Sequence, residues 1–230
     1  MKINAEFDQR VVVHSQEMEW VESPMPGVSR RALDRVGGEV ARATTIVKYE
    51  PNSHFSPHVH TGGEEFIVLS GVFQDEHGDF PAGSYIRNPP ESKHKPGSDD
   101  GCVIFVKLWQ FQPEDRTHVR LNMNYMQTIP HKAFEGISFA PLYNDEYEDV
   151  VVMDFDANAE LNLDVKNGAE ILVLEGEVKE GDDLLVQHSW LRVPQNEKIQ
   201  AKAGGKGAKV WMKTRHLDRV DQEITRVTNA

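Results

Sequence analysis

The chain contains a single cysteine, Cys102, among its 230 residues. One cysteine can form neither an intramolecular disulfide framework nor a cysteine-rich zinc module, so both of these classes of small stapled domain are excluded. A lone free thiol is typical of a reducing compartment, and we therefore expect a cytoplasmic protein. Cys102 opens an apolar run, which favours a small core residue over a redox reporter.

The sequence also lacks an excess of positive charge and any long hydrophobic run. Its net charge is −12 at pH 7, and a negative surface opposes binding to nucleic-acid phosphates and to anionic lipids. No stretch approaches the roughly 18 apolar residues that a membrane helix needs. Residues 1–17 are interrupted by charged side chains and lack the apolar centre of a signal peptide. We therefore expect a soluble protein with no direct nucleic-acid partner and no membrane association.

What the chain does contain is a succession of short runs rich in valine, isoleucine and aromatic residues, separated by turns with glycine and proline. Such runs predict β-strands, and many of them in succession predict an all-β sandwich or barrel. Only the end of the chain has apolar residues at helical spacing, which predicts a short C-terminal helix laid on a barrel. The strand-like runs cover residues 39–50, 64–73, 101–111, 148–155 and 169–178, and the helical spacing joins Leu217, Val220, Ile224 and Val227.

The chain contains an internal repeat. The segment GEEFIVLSG at 63–71 aligns with GAEILVLEG at 168–176, with five of nine positions identical, at an offset of 105 residues. The same offset places SYIRNP at 84–89 on SWLRVP at 189–194. One register held over about 30 residues predicts two related structural units.

We assign a first barrel to residues 1–115 and a second barrel to residues 116–230. Further along the repeat, VKLW ending at Trp109 resembles AKVW ending at Trp211, at the smaller offset of 102. This alignment predicts that the two tryptophans occupy equivalent positions in the two barrel cores.

Three histidines and a glutamate form the strongest candidate for a chemical site. His58 and His60 stand two apart, so on a strand both side chains project from one face. After a Thr-Gly-Gly turn comes Glu64, and a returning hairpin brings His94 towards the pair. Such a mixed nitrogen and oxygen set suits Zn²⁺, Fe²⁺, Mn²⁺, Ni²⁺ or Cu²⁺ and is too rich in nitrogen for Mg²⁺ or Ca²⁺.

The repeat provides an internal control for these four residues. Adding the offset of 105 replaces them by apolar residues, namely Leu163, Val165, Ala169 and Ile199. Joint replacement is expected if the four side chains share one buried point, because they would be unpaired polar groups without a metal. Glu65 behaves differently, since it is retained as Glu170. We therefore predict that Glu64 is the ligand and that Glu65 makes a structural hydrogen bond or a salt bridge, with Arg87 as one candidate partner.

The pattern HxHx3Ex6G in HVHTGGEEFIVLSG, with FPAGSYIRNPPESKH after it, resembles the two motifs of the cupin superfamily. The leading glycine of the first motif is replaced in this chain. Within the cupins, residues 25–112 resemble the ChrR-type anti-sigma sensor domain, and the second half resembles a degenerate cupin. The resemblance implies a tandem cupin (bicupin) whose first jelly-roll barrel binds zinc through His58, His60, Glu64 and His94.

This resemblance implies a metal-binding protein that senses a small molecule or an oxidant, as a monomer or homodimer, with a protein partner in transcription regulation. Zinc is the first choice of metal, with iron, nickel or manganese as alternatives. ChrR anti-sigma proteins grip the sigma factor with a helical domain that carries an HxxxCxxC motif, and this chain has no such motif. A second hypothesis is an Fe²⁺ dioxygenase that cleaves a small diketone or an acetophenone. A third is a metal-free jelly roll that binds a sugar or a protein.

Other candidate positions carry weaker signals. His54 lies four residues before His58, and on a continuous strand it would share the face of His58, although it has no place in the motif. The acidic run DEHGD at 75–79 could be read as a metal site, although a solvated turn is the commoner explanation. The remaining histidines have no comparable constellation around them and predict ordinary surface or locally bonded side chains.

Overall fold

The computed structural model describes residues 1–230 as β-strands that end in one short helix, which confirms the predicted all-β fold class. All five strand-like runs noted above become strands, and the C-terminal helical spacing becomes helix α1, Val220–Thr228. No helix in the structure is both long enough and apolar enough to cross a membrane.

The chain divides into two compact units. The first comprises residues 1–5, 19–125 and 221–230, and the second comprises residues 6–18 and 126–220. The continuous division into 1–115 and 116–230 predicted from the repeat differs from these bounds, because a short N-terminal segment belongs to the second unit and most of α1 belongs to the first.

The first unit contains thirteen strands and the short 3-10 helix Met123–Tyr125. The strands are β1 (Lys2–Ile3), β3 (Val21–Glu22), β4 (Val28–Gly37), β5 (Ala41–Tyr49), β6 (Ser53–His54), β7 (His58–His60), β8 (Glu64–Asp75), β9 (Gly78–Pro81), β10 (Ser84–Asn88), β11 (Ser92–His94), β12 (Gly97–Ser98), β13 (Cys102–Leu108) and β14 (Val119–Asn122). Its main sheet has the antiparallel order β1-β4-β5-β13-β8-β10-β14, and β7 pairs with β11 in a separate two-stranded sheet.

The second unit contains nine strands and the 3-10 helices Ser15–Glu17 and His216–Arg219. The strands are β2 (Val11–His14), β15 (Ile129–Pro130), β16 (Ile137–Asn144), β17 (Asp149–Phe155), β18 (Glu160–Val165), β19 (Ala169–Glu180), β20 (Asp183–Val186), β21 (Ser189–Val193) and β22 (Glu197–Thr214). Its sheet order is β15-β16-β17-β22-β19-β21-β2. The order β5-β13-β8-β10 of the first unit therefore corresponds to the order β17-β22-β19-β21 of the second.

The last strand of each sheet comes from an unexpected part of the chain. In the first unit β14 pairs with β10, whereas in the second unit the corresponding partner of β21 is the N-terminal strand β2. Each of these strands runs into a 3-10 helix. The repeat does not reveal this arrangement, since sequence similarity says nothing about which sheet edge a strand joins.

Each unit has its own apolar core, built by alternate residues of its strands. On β13, Cys102, Ile104 and Val106 face the core of the first unit, so the expected core position of Cys102 is confirmed. On β19, Ile171 and Val173 contribute to the core of the second unit. The cores are therefore formed by the same period-two pattern that predicted the strands.

The predicted equivalence of Trp109 and Trp211 is wrong. Phe105 on β13 lies opposite Ile67 on β8, and Trp211 on β22 lies opposite Leu172 on β19. Because Leu172 is the repeat counterpart of Ile67, Trp211 corresponds to Phe105. Trp109 lies beyond the end of β13, half-buried and with a φ of 61°. The sequence alignment matched similar residues by introducing a three-residue gap in the turn before these strands. The pairing of the strands shows no such gap.

Helix α1 is anchored within the first unit by a buried ion pair. Arg42 on β5 is fully buried, and its Nε lies 2.6 Å from Oε2 of Glu223 on the helix. Its Nη1 is 3.6 Å from Oδ2 of Asp34, which is also fully buried. Charges at such depth require partners, so the helix completes the polar surroundings of Arg42.

Candidate metal centre

The three histidines converge at the two-stranded sheet formed by β7 and β11. His58 lies directly opposite His94 in this sheet, while His60 lies two residues further along the same face. One nitrogen from each ring falls within 4.8 Å of the other two, and Nε2 of His60 is 2.9 Å from Nε2 of His94. This cluster could bind a metal ion, as the spacing of the histidines in the sequence predicts.

Glu64 lies beside the same three rings at the start of β8. Its Oε2 is 3.4 Å from Nε2 of His60 and 3.6 Å from Nε2 of His94. The Nδ2 of Asn88 donates a hydrogen bond of 3.3 Å to this oxygen and so restricts the carboxylate. The structure thus brings together all four residues that the sequence selected, and their assignment as the complete ligand set stays a prediction.

The Thr-Gly-Gly turn before Glu64 requires its glycines. A Cβ at Gly62 would lie 2.1 Å from the ring of Trp109, and a Cβ at Gly63 would lie 2.5 Å from the ring of Phe111. Gly63 also has a φ of 79°, a backbone conformation that residues other than glycine rarely adopt. The turn therefore packs tightly under two aromatic rings, and this packing sets the position at which β8 begins.

Asn52 stands where the cupin motif has its first glycine, six residues before His58. Its φ is 59°, in the left-handed region. Asparagine is one of the few residues other than glycine that tolerate this conformation. The departure from the motif therefore preserves the backbone shape that the glycine would provide.

A second layer of groups orients two of the histidines. Nδ1 of His94 is 3.3 Å from Oδ2 of Asp75, and Nδ1 of His58 is 3.2 Å from the backbone carbonyl of Ser56. Because a carboxylate and a carbonyl only accept, both Nδ1 atoms carry the hydrogen, which leaves the Nε2 lone pairs for a metal. Asp75 opens the acidic run that we expected to be a solvated turn. Its side chain is instead almost fully buried against His94.

The surroundings shift the pKa values of two of these histidines in opposite directions. Burial lowers the pKa of His60, against an opposing contribution from the charge of Glu64. Burial by itself would also lower the pKa of His94, but the hydrogen bond to Asp75 and the charge of Glu64 outweigh it and raise the pKa. The hydrogen bonds from His94 and from the backbone N–H of His77 lower the pKa of Asp75 despite its burial. The site therefore keeps a carboxylate charge behind His94.

The donor set fits a first-row transition metal. Three imidazole nitrogens and one carboxylate oxygen are the ligands that Zn²⁺, Fe²⁺, Ni²⁺ and Mn²⁺ accept in proteins. His94 is buried and His60 is half-buried, whereas His58 is exposed. A metal held here would be anchored on the inner side and accessible from solvent on the other.

The second unit confirms the correspondence on which the internal control depends. Leu163 on β18 faces Ile199 on β22, as His58 on β7 faces His94 on β11. Val165, Ala169 and Ile199 lie in the core of the second unit, and Leu163 packs against that core. The place of the polar cluster in the first unit is thus apolar in the second.

Glu65 has the structural role expected of it. Its Oε1 accepts a hydrogen bond of 2.6 Å from the hydroxyl of Tyr85, and both side chains are buried. In the second unit, Nε1 of Trp190 donates to Oε2 of Glu170 at 3.0 Å, which reproduces the same contact. Arg87 lies opposite Glu65 in the sheet and forms an ion pair with Asp115. Glu65 thus belongs to the wall of the unit and is separate from the histidine cluster.

His54 lies outside the cluster. Its Nε2 is 3.1 Å from Oδ1 of Asp99 on the surface, where both side chains are largely exposed. Sequence reasoning did not identify Asp75 and Asn88 as supporting residues, because their contacts with the cluster arise only when distant parts of the hairpins meet. The only signal for Asp75 was its place in an acidic run.

Comparison with known protein families finds a similarity in the first half of the chain. Residues 8–112 match the sequence profile of the ChrR cupin-like domain. No curated protein matches the chain.

Several solved structures share the fold. A suggested dioxygenase from Nostoc punctiforme superposes with a TM-score of 0.75 at 15% identity, over 91% of this chain and 84% of that one. A cupin 2 conserved barrel domain protein from Leptotrichia buccalis gives a TM-score of 0.62 at 10% identity, over 89% and 96%. The pirin YhhW from Escherichia coli, in complex with nickel(II), gives 0.63 at 12% identity, over 90% and 99%. Residues 8–112 are thus similar to a ChrR cupin-like domain, and the whole chain shares its fold with these solved structures.

Proposed function

We propose that the first unit binds one divalent transition metal through His58, His60, Glu64 and His94, and that the protein is a ChrR-like cupin in a bicupin arrangement. One observation carries this proposal: the four side chains converge in the first unit, and all four positions are apolar in the second. Joint replacement is expected of polar groups that share one ligand, because without it they would be buried and unpaired.

Zinc is the metal we propose first. When bound, Zn²⁺ would supply Lewis acidity without redox chemistry, and four protein ligands suit its tetrahedral preference. Asp75 holds the hydrogen of His94 on Nδ1, and the carbonyl of Ser56 does the same for His58, so both Nε2 lone pairs would be available to the ion. Asn88 restrains Glu64.

Exposure of the outer side of the cluster supports a sensing role. His58 is exposed, and the neighbouring Val59 is 54% exposed. A small molecule or an oxidant could therefore approach a metal held here from the solvent side. The proposed partners are such a small molecule and, from the ChrR resemblance, a protein of transcription regulation in the cytoplasm.

An Fe²⁺ dioxygenase is the second candidate function. The same exposure would leave coordination positions for substrate and O₂, which non-haem iron requires. The fold shared with the suggested Nostoc punctiforme dioxygenase adds support for a catalytic reading, and the nickel-bound pirin shows that a relative of this fold holds a metal. In this case a small diketone or an acetophenone would be the substrate class.

Elemental analysis of the protein purified from its own host tests the proposal. We expect one equivalent of transition metal per chain, mainly zinc, with loss of the metal in His58→Ala and His94→Ala. His54→Ala is the matched control, because His54 is a neighbouring histidine that pairs with Asp99 instead. Two equivalents at separate sites, or an unchanged metal content in the two ligand variants, would refute the proposed site.

Oxygen uptake separates the two candidate functions. The protein is loaded with Fe²⁺ without oxygen and then assayed over a panel of β-diketones and hydroxyacetophenones, beside a zinc-loaded sample. Turnover that depends on iron and disappears in His60→Ala would establish the dioxygenase and overturn the sensor. No uptake with any substrate in an iron-loaded protein would favour the sensor.

A further inference from the structure

The second unit contains a small, mainly apolar cavity beside Leu163. The cavity has a volume of about 170 Å³. Leu163, the counterpart of His58, lies in its wall, and Met212 faces Val151 across the adjoining strands. The other apolar side chains that line it are Phe134, Phe139, Met153 and Leu161. The space therefore has a mainly apolar lining, to which Leu163 contributes.

The cavity has a buried floor and a more open rim. Met153, Leu161 and Met212 are buried, whereas Phe139, Val151 and Leu163 are only half-buried. A cavity of roughly this size lined by apolar side chains accepts a single six-membered ring. Pockets of this kind, with one or two polar groups at defined positions, are typical of sites for small ligands.

One polar group at the rim has an unused hydrogen-bond donor. Nδ1 of His131 accepts a hydrogen bond of 3.1 Å from the backbone N–H of Ala133, so in the neutral ring the hydrogen is on Nε2. The ring is held against Phe134 and Phe139, with centroid distances of 4.5 and 5.5 Å. Nε2 has no hydrogen-bond partner within the protein and can donate to a ligand.

The other ionisable group in the lining is already satisfied. Oδ2 of Asp149 is 2.6 Å from Nε of Arg215, and Oδ1 accepts a hydrogen bond from Asn144. The cavity therefore offers a mainly apolar wall with two polar groups, the His131 donor and the hydroxyl of Thr214, and no unpaired charge to bind an ion.

We propose that the second unit binds a small neutral ring compound that carries one hydrogen-bond acceptor, such as an aryl ketone. The ring occupies the apolar space beside Leu163 and Met212, and the acceptor receives the hydrogen of His131 Nε2. This site does not depend on the metal centre of the first unit. The degenerate unit thus has a binding role of its own.

Methionine methyl groups provide direct reporters of this cavity. The full chain is labelled with ¹³C at the methionine methyls and titrated with acetophenone and with α-methylstyrene, in which a CH₂ group replaces the carbonyl oxygen in a molecule of similar shape. We expect the Met153 and Met212 signals to shift with both probes, while buried Met123 in the first unit stays unchanged. Acetophenone should bind about fivefold more tightly, as one added hydrogen bond implies.

Four variants test the geometry. Leu163→Trp fills the cavity and should abolish the shifts, with Val151→Phe as a second filling variant in case the first does not fold. His131→Phe should remove the preference for acetophenone while retaining binding of α-methylstyrene. His60→Ala should leave both titrations unchanged, which separates this site from the proposed metal centre.

Specific outcomes would overturn the proposal. Absence of any Met153 or Met212 shift up to the solubility limit of both probes would exclude the site. Shifts that persist in folded Leu163→Trp or Val151→Phe would place the ligand elsewhere. Equal affinity for the two probes would exclude the role of His131.

Discussion

Asp75 lies directly behind His94: its Oδ2 is 3.3 Å from Nδ1 of that ring, while the opposite nitrogen, Nε2, faces His60 at 2.9 Å. The carboxylate thus fixes both the tautomer and the orientation of His94. Asp75 contacts no other member of the histidine cluster, so it acts through His94 and is a positioning residue.

The first prediction concerns this contact. We expect Asp75→Ala to lower the affinity for the metal by about 10- to 100-fold while the stoichiometry at saturation stays at one per chain. Asp75→Asn keeps an acceptor and should recover part of the loss. Competition with a chromophoric chelator measures the affinity. Asp79→Ala, in the same hairpin, is the control, and an equal affinity in Asp75→Ala and Asp79→Ala would contradict the role of Asp75.

The adjacent acids Glu64 and Glu65 should respond in opposite ways. We expect Glu64→Gln to strip or strongly weaken the metal, because it removes the only carboxylate from the predicted ligand set. Glu65→Gln should keep the metal but lower the free energy of unfolding by about 1–3 kcal/mol, because it weakens a buried hydrogen bond with Tyr85. Elemental analysis and urea unfolding distinguish the two effects, and the reverse pattern would mean that the acids are assigned the wrong way round.

Cys102 should be chemically inert in the folded protein. Burial raises the pKa of its thiol to about 11, so about 0.1% is thiolate at pH 8, and the side chain is shielded as well. We expect alkylation by iodoacetamide to be at least 100-fold slower in buffer than in denaturant, measured by mass spectrometry. Rapid modification of the native protein would show that the strand opens readily and would restore Cys102 as a redox reporter.

A fragment of residues 1–115 should not form a well-behaved monomer. It lacks β14, which covers β10, and it retains β2 without its partner β21. An uncovered sheet edge and an unpaired strand both promote association. We expect an insoluble or dimeric product by size-exclusion chromatography with light scattering. A stable monomer would show that the first unit folds without its last strand.

Much of the fold could be predicted from the sequence, because strand period and repeat register are local properties. The alternation of Cys102, Ile104 and Val106 places them on one face, and an offset of 105 correctly pairs Leu163 with Ile199 as it pairs His58 with His94. The spacing of His58 and His60 determined that they share a face. These results follow from the two-residue repeat of a strand.

Only the tertiary structure decided which distant segments meet. Asp75, at the end of β8, contacts His94 on β11, which is 19 residues further along the chain. Strand β2 belongs to the second unit because it pairs with the edge strand β21. The wrong alignment of Trp109 with Trp211 has the same cause, since identical residue types can lie at different positions relative to a strand end. The cavity beside Leu163 likewise depends on how side chains from several distant segments pack together, which the sequence of any one segment does not show. Sequence determines the face that a side chain occupies, whereas loop paths and strand edges determine what it contacts.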